Sequence, residues 1–167
     1  MSGCKNNREE VQKFEPGHEQ ETGPLLRVRW TDGNCAEALE DAYQVRREVF
    51  IKEQEVPEEE EIDEADLSSH HVIVYENTRP IATGRLVRDE ETWLMGRISV
   101  LKEYRGKQVG KLVVEKLLEK AAELKAGEVH IHAQTHAVGF YGKLGFVSYG
   151  DTFPESGIEH ICMKKKL

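Results

Sequence analysis

Tyr104–Lys111 contains the residue types of a phosphate-binding loop, in the order Tyr-Arg-Gly-Lys-Gln-Val-Gly-Lys. It follows a strand-like segment and opens a helical pattern, and the first amides of a helix can bind phosphate oxygens. Gly106 and Gly110 allow close approach, and three cations lie beside them: Arg105, Lys107 and Lys111. The glycine spacing fits neither a Walker loop nor a dinucleotide-binding fingerprint. An ordinary basic strand-to-helix turn is the alternative, and this stretch alone does not separate the two.

Three histidines form a second group that could do chemistry. His130 and His132 share one face of a predicted strand, and His136 follows it. A metal site drawn from these three would place one ligand beyond the strand, with no carboxylate or cysteine to join it. The pattern favours His132 as a polar residue lining a cleft and His130 as exposed near a strand end, so no metal is predicted.

The elements that must position these residues alternate between strand and helix patterns. Apolar residues recur at helical spacing over about 35–51 and 107–125, and a shorter helix is predicted over 137–144. The inner side of the long helix is predicted to carry Val109, Leu112, Val113, Lys116, Leu117 and Ala121. Strands are predicted from Leu25 and over 71–75, 81–87, 93–101, 129–133, 146–149 and 161–164. Gly96 is expected to mark a bulge or a close backbone approach. This order predicts a mixed α/β domain.

Composition limits the classes of partner and the number of domains. The chain has 167 residues and a formal net charge of -8, which predicts one domain and disfavours nucleic acid and anionic membranes as partners. Residues 1–24 are polar and aperiodic and are predicted to be a flexible tail before a domain over 25–167. No apolar run approaches the ~20 residues of a membrane span. The three cysteines are scattered, which predicts no disulfide framework and a reducing, cytoplasmic location.

The segment Glu53–Asp66 carries nine carboxylates and no basic residue. Charge runs are usually solvated surface, so a solvated loop or short helix is one interpretation. The other is a cavity mouth whose field attracts a cationic amine. Apolar anchors in the segment and directly after it, namely Val56, Ile62 and Leu67, leave the two interpretations evenly balanced.

Two motifs in this chain resemble those of the GCN5-related N-acetyltransferases. Arg105-x-x-Gln108-x-Gly110 resembles the Gln/Arg-x-x-Gly-x-Gly/Ala pyrophosphate motif of that family, and residues 97–101 are similar to its central strand. Residues 137–146 are similar to its Phe-Tyr-x-Lys-x-Gly-Phe segment. Residues 41–54, 133–134 and 157–160 further resemble the ElaA/YjcF-type branch. The resemblance covers about residues 26–165 and departs at Gln108, which stands in place of the second glycine and is expected in the first helical turn with helical dihedrals.

The resemblance implies a fold and a reaction. The fold is a single α+β domain with a mostly antiparallel, twisted sheet of about six to seven strands, flanked by helices and splayed at the cofactor cleft. Acetyl-CoA is the implied co-substrate, without a metal, and an amine of a small molecule or a peptide attacks its thioester directly. A homodimer is left open.

The resemblance also implies roles for individual residues. The pantetheine arm would pair with the backbone of Ile98–Val100, and an N–H near Val100 would face the carbonyl oxygen. Tyr141 is the implied general acid. The predicted cofactor-binding residues are Ile98, Ser99, Val100, Arg105, Gly106, Lys107, Gln108, Val109, Gly110, Lys111, Gln134 and Phe140. The predicted catalytic residues are Tyr141, His132 and Glu53. The base is left open among Glu53, Asp63, His71, His132 and His160, or water relayed by one of them.

Two further classes of function compete with the enzyme. A CoA-binding sensor or interaction module without catalysis would use the same loop, although it leaves the retention of Tyr141 without a purpose. A structural or interaction domain would use the acidic segment Glu53–Asp66, but it leaves the Arg105–Lys111 loop unexplained. Release of free thiol from acetyl-CoA in the presence of amines separates the enzyme from both.

Overall fold

The computed structural model describes residues 8–13 and 25–167, and their backbone forms eight strands around which the helices pack. The strands are β1 (Arg8–Lys13), β2 (Leu25–Asp32), β3 (His70–Glu76), β4 (Arg79–Asp89), β5 (Thr92–Val100), β6 (Glu128–Gln134), β7 (Val147–Glu155) and β8 (Ile158–Lys166). The α-helices are α1 (Ala36–Arg46), α2 (Glu58–Glu61), α3 (Val109–Glu123) and α4 (Val138–Lys143). A π-helical segment (Arg47–Glu53) extends α1, and 3-10 turns lie at Glu64–Leu67, Lys102–Tyr104 and Thr135–Ala137.

All eight strands belong to one sheet, in the order β1-β2-β3-β4-β5-β6-β8-β7. Every neighbouring pair is antiparallel except β5 and β6, which are parallel. The predicted mixed, mostly antiparallel sheet is therefore confirmed. It has one or two more strands than predicted, because β1 lies in a segment assigned to the tail.

Strand β1 corrects the prediction of a flexible tail over residues 1–24. Residues 8–13 pair with β2 along their whole length. Their side chains also contact α3, since Glu10 accepts a hydrogen bond from Lys116 at 3.1 Å and Arg8 donates one to Glu123 at 3.1 Å. Alternation in this segment is interrupted by charged residues, which concealed the strand. The rest of the predicted tail lies outside the described residues.

The core lies on both faces of the sheet, as the alternation in β3 shows. Ile73 and Tyr75 point to one face and pack with Ala38 and Ala42 of α1. Val72 and Val74 belong to the larger cluster on the other face, against α3. The predicted inner side of α3 is confirmed in full, because all of its six members are buried: Val109, Leu112, Val113, Lys116, Leu117 and Ala121.

A β-bulge in β5 opens the sheet where β5 and β6 separate. Arg85 pairs with Gly96 and Thr83 with Ser99, so two residues of β5 stand opposite Gly84 alone. Of the two alternatives predicted for Gly96, the bulge is present: it begins directly after Gly96, and Arg97 takes a positive φ of 52°. The close backbone approach is not, because a Cβ on Gly96 would meet nothing within 4 Å. Beyond this point β5 and β6 no longer pair: their bridges end at Met95. The predicted splay is present there.

Two element boundaries differ from the sequence predictions. The helix predicted over 35–51 ends as an α-helix at Arg46, and the chain then continues with π-helical turns to Glu53. The predicted short strand over 146–149 continues to Glu155, and its partner starts at Ile158. The resulting long β7–β8 hairpin places the carboxylate of Glu155 3.5 Å from the imidazole of His132 on β6.

The cysteines also depart from expectation. Cys35 is disulfide-bonded, whereas Cys162 is a free thiol. Scattered spacing in the sequence gave no indication of such a bond. No helix among the described residues is long and apolar enough to cross a membrane.

Candidate active site

A cavity of about 1100 Å³ opens at the point where β5 and β6 separate. Its walls come from β5, the start of α3, the β6–α4 segment, the π-helical segment and the β7–β8 hairpin. Most of the predicted cofactor-binding residues line it: Ile98, Ser99, Val100, Arg105, Gly106, Gln108, Val109, Gly110, Lys111, Gln134 and Phe140. Lys107 lies outside this lining, with its ammonium 5.7 Å from the centre of the Tyr104 ring.

The loop before α3 presents backbone to the cavity. Leu112 N donates to Gln108 O at 3.1 Å, so the three preceding amides, from Val109 to Lys111, belong to the part of a helix that has no internal acceptor. Gly106 has a φ of 74°, a conformation that glycine adopts without steric cost. At Gly110 a Cβ would lie 3.4 Å from Phe140 Cζ and would narrow the cavity.

Gln108 differs from its predicted conformation. It lies just before the first residue of α3, with a φ of 63° and a ψ of 15°, in the left-handed region. Side chains cost about 1–2 kcal/mol in that region, which explains why glycine suits this position better. The prediction of ordinary helical dihedrals in the first turn is therefore wrong.

Arg105 is fixed by contacts on both sides of the cavity mouth. Its Nε donates to Val100 O at 3.0 Å, and its two terminal nitrogens donate to the two carboxylate oxygens of Glu53, at 2.9 Å each. Glu53 ends the π-helical segment and does not line the cavity. Because both of its oxygens are occupied, the structure gives Glu53 the role of holding Arg105 and does not support the predicted role as a base.

Tyr141 lies on the α3 side of the cavity, on helix α4. Its ring packs edge-on against Phe140 and Phe146, with centroids 5.0 and 5.9 Å away. The residue is 7% exposed, and burial raises the pKa of its hydroxyl above the ordinary value. The phenol therefore stays protonated at neutral pH and can act as a proton donor.

The other wall carries polar groups on the opposite face of the sheet. His132 pairs in register with Cys162, and Gln134 with His160, so these side chains share one face. The intervening Ala133 belongs to the core cluster with Tyr141. Gln134 also exchanges two hydrogen bonds, of 3.1 and 2.9 Å, with the amide of Gln54.

Glu155 is the functional candidate that the sequence did not reveal. Its carboxylate lies 3.5 Å from His132 Nδ1 and 3.7 Å from His160 Nε2. The hydrogen bond from His132 lowers the pKa of Glu155, with burial acting against it and the charges of His132, His160 and Arg97 acting with it. The carboxylate is therefore ionised at neutral pH. Only the length of the β7–β8 hairpin could have indicated this position, and the sequence pattern ended β7 too early.

Three of the nine carboxylates of the acidic segment, Glu61, Asp63 and Asp66, bind a buried arginine cluster. Arg46 donates to Glu61 at 2.8 Å and to Asp66 at 2.7 Å, and it is 1% exposed. Arg85 donates to Asp63 at 2.7 Å and to Asp66 at 2.8 Å. Burial raises the pKa of Asp63, but the hydrogen bond and charge of Arg85 outweigh it and hold that pKa below its ordinary value.

Arg97 completes the arginine cluster from the β5 bulge. Its guanidinium lies 3.3 Å from Glu61 Oε2 and 3.3 Å from Asp63 Oδ2. Its Nε also donates to the backbone oxygen of Glu61 at 3.0 Å. Asp63 is thus bound by two arginines, which makes it a poor candidate for the base.

His71 does not line the cavity and instead donates a hydrogen bond within the fold. It is 1% exposed, and its Nε2 donates to Asp66 O at 2.8 Å, because a carbonyl oxygen can only accept. Burial lowers the pKa of His71 to about 4, so the ring is neutral at neutral pH. The candidate base His71 is therefore shielded from substrate.

The remaining histidines do not converge on a common point. His130 bonds Tyr149 Oη and Glu128 Oε1, at 2.7 Å each, whereas His136 lies in the 3-10 turn after β6. Within residues 8–13 and 25–167, no group of three or more potential ligands is arranged to hold a metal.

Comparisons with known proteins agree with this geometry. The sequence model of the acetyltransferase (GNAT) domain matches residues 34–167. The uncharacterized N-acetyltransferase YjcF of Bacillus subtilis is 42% identical over 130 residues, which are 77% of this chain and 93% of YjcF. The crystal structure of Escherichia coli ElaA has a TM-score of 0.77 at 28% identity, over 83% of this chain and 98% of ElaA. An acetyltransferase of Bacillus anthracis, solved in complex with acetyl coenzyme A, shares the fold with a TM-score of 0.53 at 22% identity, over 60% of this chain and 63% of that one.

The chain belongs to the GNAT acetyltransferase family, and it is an acyltransferase. The relationship to YjcF and ElaA confirms the branch indicated by its sequence motifs.

Proposed function

We propose that this acyltransferase transfers the acetyl group of acetyl-CoA to an amine, which attacks the thioester directly. The observation that carries the proposal is the junction of two features in one cavity: the glycine loop at the start of α3 and the unpaired edges of β5 and β6. The loop offers amides and cations to a pyrophosphate. The unpaired edge offers backbone to a pantetheine arm, as a sheet edge does to an added strand.

The remaining predicted residues would surround the cofactor along this path. The backbone of Ile98–Val100 would bind the arm, and an N–H near Val100 would stabilise the negative charge that develops on the carbonyl oxygen. Gln134 would contact the cofactor from β6, and Phe140 would contact it from α4. His132 lines the acceptor side, while Tyr141 would protonate the departing sulfur.

Binding and turnover test this proposal separately. Acetyl-CoA should raise the melting temperature of the protein by mass action, and free thiol should appear with an alkylamine such as cadaverine. Gly110→Asp should abolish the shift, because it adds an anion and a side chain at the phosphate site. Gly127→Asp is the matched control, since it adds the same charge after the far end of α3, where a Cβ meets nothing within 4 Å.

Three outcomes separate the candidate functions. No thermal shift with millimolar acetyl-CoA would remove the basis of the proposal. A shift without thiol release on a broad panel of amines would favour the CoA-binding sensor. Unchanged binding by Gly110→Asp would place the pyrophosphate elsewhere.

A further inference from the structure

A carboxylate between two imidazoles lies on the acceptor wall, on the face of the sheet opposite Tyr141. The oxygens of Glu155 approach His132 Nδ1 and His160 Nε2, at 3.5 and 3.7 Å. The ring of Phe153 meets His132 edge-on at 5.3 Å and stacks on His160 at 6.0 Å. Three strands, β6, β7 and β8, and one aromatic ring therefore fix the positions of the three polar groups.

Hydrogen bonding identifies the tautomer of His160. Its Nδ1 lies 2.6 Å from the carbonyl oxygen of Ile158, which can only accept, so Nδ1 carries a proton. In the neutral ring Nε2 then holds a lone pair. The 3.7 Å between Nε2 and Glu155 Oε2 is too long for a hydrogen bond but short enough for an ion pair once Nε2 is protonated.

We propose that His160 is the general base of the acetyl transfer and that Glu155 is the positioning residue that stabilises its imidazolium, an inference that rests on the proposed function. Three other candidates are committed elsewhere: Glu53 to Arg105, Asp63 to Arg85 and Arg97, and His71 to the backbone of Asp66.

Position along the cleft separates His160 from His132. His132 stands one residue from Ile131, the last residue of β6 that pairs with β5. His160 pairs with Gln134, at the end of β6 where the gap to β5 has opened. This end of the gap lies toward Ile98–Val100, where the thioester is proposed to bind. His160 is also the more enclosed of the two, at 7% exposed.

Protons are transferred by one group on each wall of the cavity, His160 on one and Tyr141 on the other. His160 Nε2 takes one proton from the acceptor ammonium, and the freed nitrogen lone pair forms the C–N bond at the thioester carbonyl. The C–S bond then breaks, and the sulfur takes the hydroxyl proton of Tyr141. The second proton lost by the nitrogen returns through water to Tyr141, and His160 releases its own to solvent.

The groups facing His160 favour a positive charge on it. Glu155 approaches from β7 and is ionised, because the hydrogen bond from His132 holds its pKa below the ordinary value. His132 lies on β6 on the other side of that carboxylate, and Arg97 on β5 acts on Glu155 through its charge. The nearest charge to Nε2 is thus an anion, which stabilises the imidazolium.

Two acceptors that differ in basicity provide the test, with acetyl-CoA turnover measured for the full chain. Cadaverine is protonated at neutral pH and needs a base, whereas hydroxylamine is largely unprotonated. With cadaverine, His160→Gln should lower kcat by ~10²-fold or more and remove the acidic limb of the kcat–pH profile. With hydroxylamine the loss should be at least tenfold smaller, and the dissociation constant of acetyl-CoA should not change.

Two further variants complete the design. Glu155→Gln should move the acidic limb to lower pH, because the imidazolium loses its anion. His130→Gln is the matched control, since it alters a histidine on the same strand face that bonds Tyr149 and does not line the cavity. Its kinetics should match those of the parent. If His160→Gln does not fold, the proposal is still tested by whether the acidic limb of the kcat–pH profile moves in Glu155→Gln.

Each failure has its own signature. A loss below threefold in His160→Gln, or an equal loss with both acceptors and an unmoved pH limb, overturns the base assignment while the acetyltransferase stands. A parent protein that binds acetyl-CoA but releases no thiol with either acceptor overturns the proposed function, and this inference with it.

Discussion

Two carboxylate clusters border the same cavity, and they differ in the groups that neutralise them. Glu61, Asp63 and Asp66 are bound by three arginines, Arg46, Arg85 and Arg97. Among residues 8–13 and 25–167, Glu155 instead forms its ion pairs with the imidazoles of His132 and His160. Guanidinium groups do not lose protons in proteins, so the arginines of the arginine cluster keep their positive charges at all relevant pH values. Imidazoles exchange protons near neutral pH, so the second cluster can take part in chemistry.

The difference shows that a run of acidic residues in the sequence does not by itself provide a carboxylate that can take part in the reaction. The acidic segment suggested a field that attracts an amine, yet its buried members are neutralised by arginines from α1, β4 and β5. Burial even raises the pKa of Glu61 despite the neighbouring Arg97 and Arg46. Glu155, whose ion pairs are with imidazoles, comes from the distant β7–β8 hairpin. Four predictions test this contrast.

The largest expected effect is the fall in stability when the arginine cluster is disrupted. Arg46→Ala leaves Glu61 and Asp66 buried with fewer counter-charges, and breaking a buried pair costs about 3–5 kcal/mol. The free energy of unfolding, measured with urea, should fall by that amount. Glu155→Gln should change it by less than about 1 kcal/mol, because half-exposed pairs contribute little. Equal losses in the two variants would erase the distinction between the clusters.

Tyr141→Phe tests whether the wall opposite Glu155 supplies the acid. The change keeps the ring that packs against Phe140 and Phe146 and removes only the buried hydroxyl. Both kcat and kcat/KM should fall by ~10²–10⁴-fold, with the acetyl-CoA dissociation constant unchanged. Steady-state kinetics and a binding titration measure these quantities. A fall below threefold would make Tyr141 a packing residue.

His71 gives the arginine cluster a pH dependence of its own. Its pKa in the folded protein is lowered from 6.5 to about 4 by burial, so the unfolded chain binds the proton more readily. The stability contributed by neutral His71 is present above pH 6.5 and is lost as the pH falls toward 4. The loss amounts to about 3 kcal/mol, at ~1.4 kcal/mol per pH unit. His71→Gln should remove this slope in urea titrations, and an unchanged slope would assign it to other groups.

The sequence predicted those parts of the fold whose signals are local. The apolar spacing of α3 identified its buried face residue by residue, and the glycines before it identified the loop. The left-handed Gln108 was missed because the type of a side chain does not report the φ of its backbone. Strand β1 was missed because charged residues interrupt its pattern, and its partner β2 is needed to stabilise it.

The site was predicted less completely because its contacts join distant segments. Arg46 occupies a position of helical spacing in α1, where a charged residue among apolar neighbours could have signalled a buried ion pair. Its partners, Glu61 and Asp66, lie in a segment whose composition is typical of solvated surface. The contact of Glu155 with His132 depends on the length and curvature of β7, which alternation alone does not determine.

The smallest expected effect concerns the exposed remainder of the acidic segment. Glu59 and Glu60 are exposed, and their side chains form no hydrogen bond or ion pair with the part of the chain that the structure describes. Exposed charges are screened over ~8–10 Å at physiological ionic strength. The double change Glu59→Gln and Glu60→Gln should therefore alter kcat/KM for cadaverine by less than about twofold, because screened surface charges contribute little. Rates measured from low to physiological salt check this. A strong salt dependence of kcat/KM in the parent that disappears in the double variant would contradict this prediction. It would mean that the exposed acidic surface, and not Glu155, attracts the acceptor.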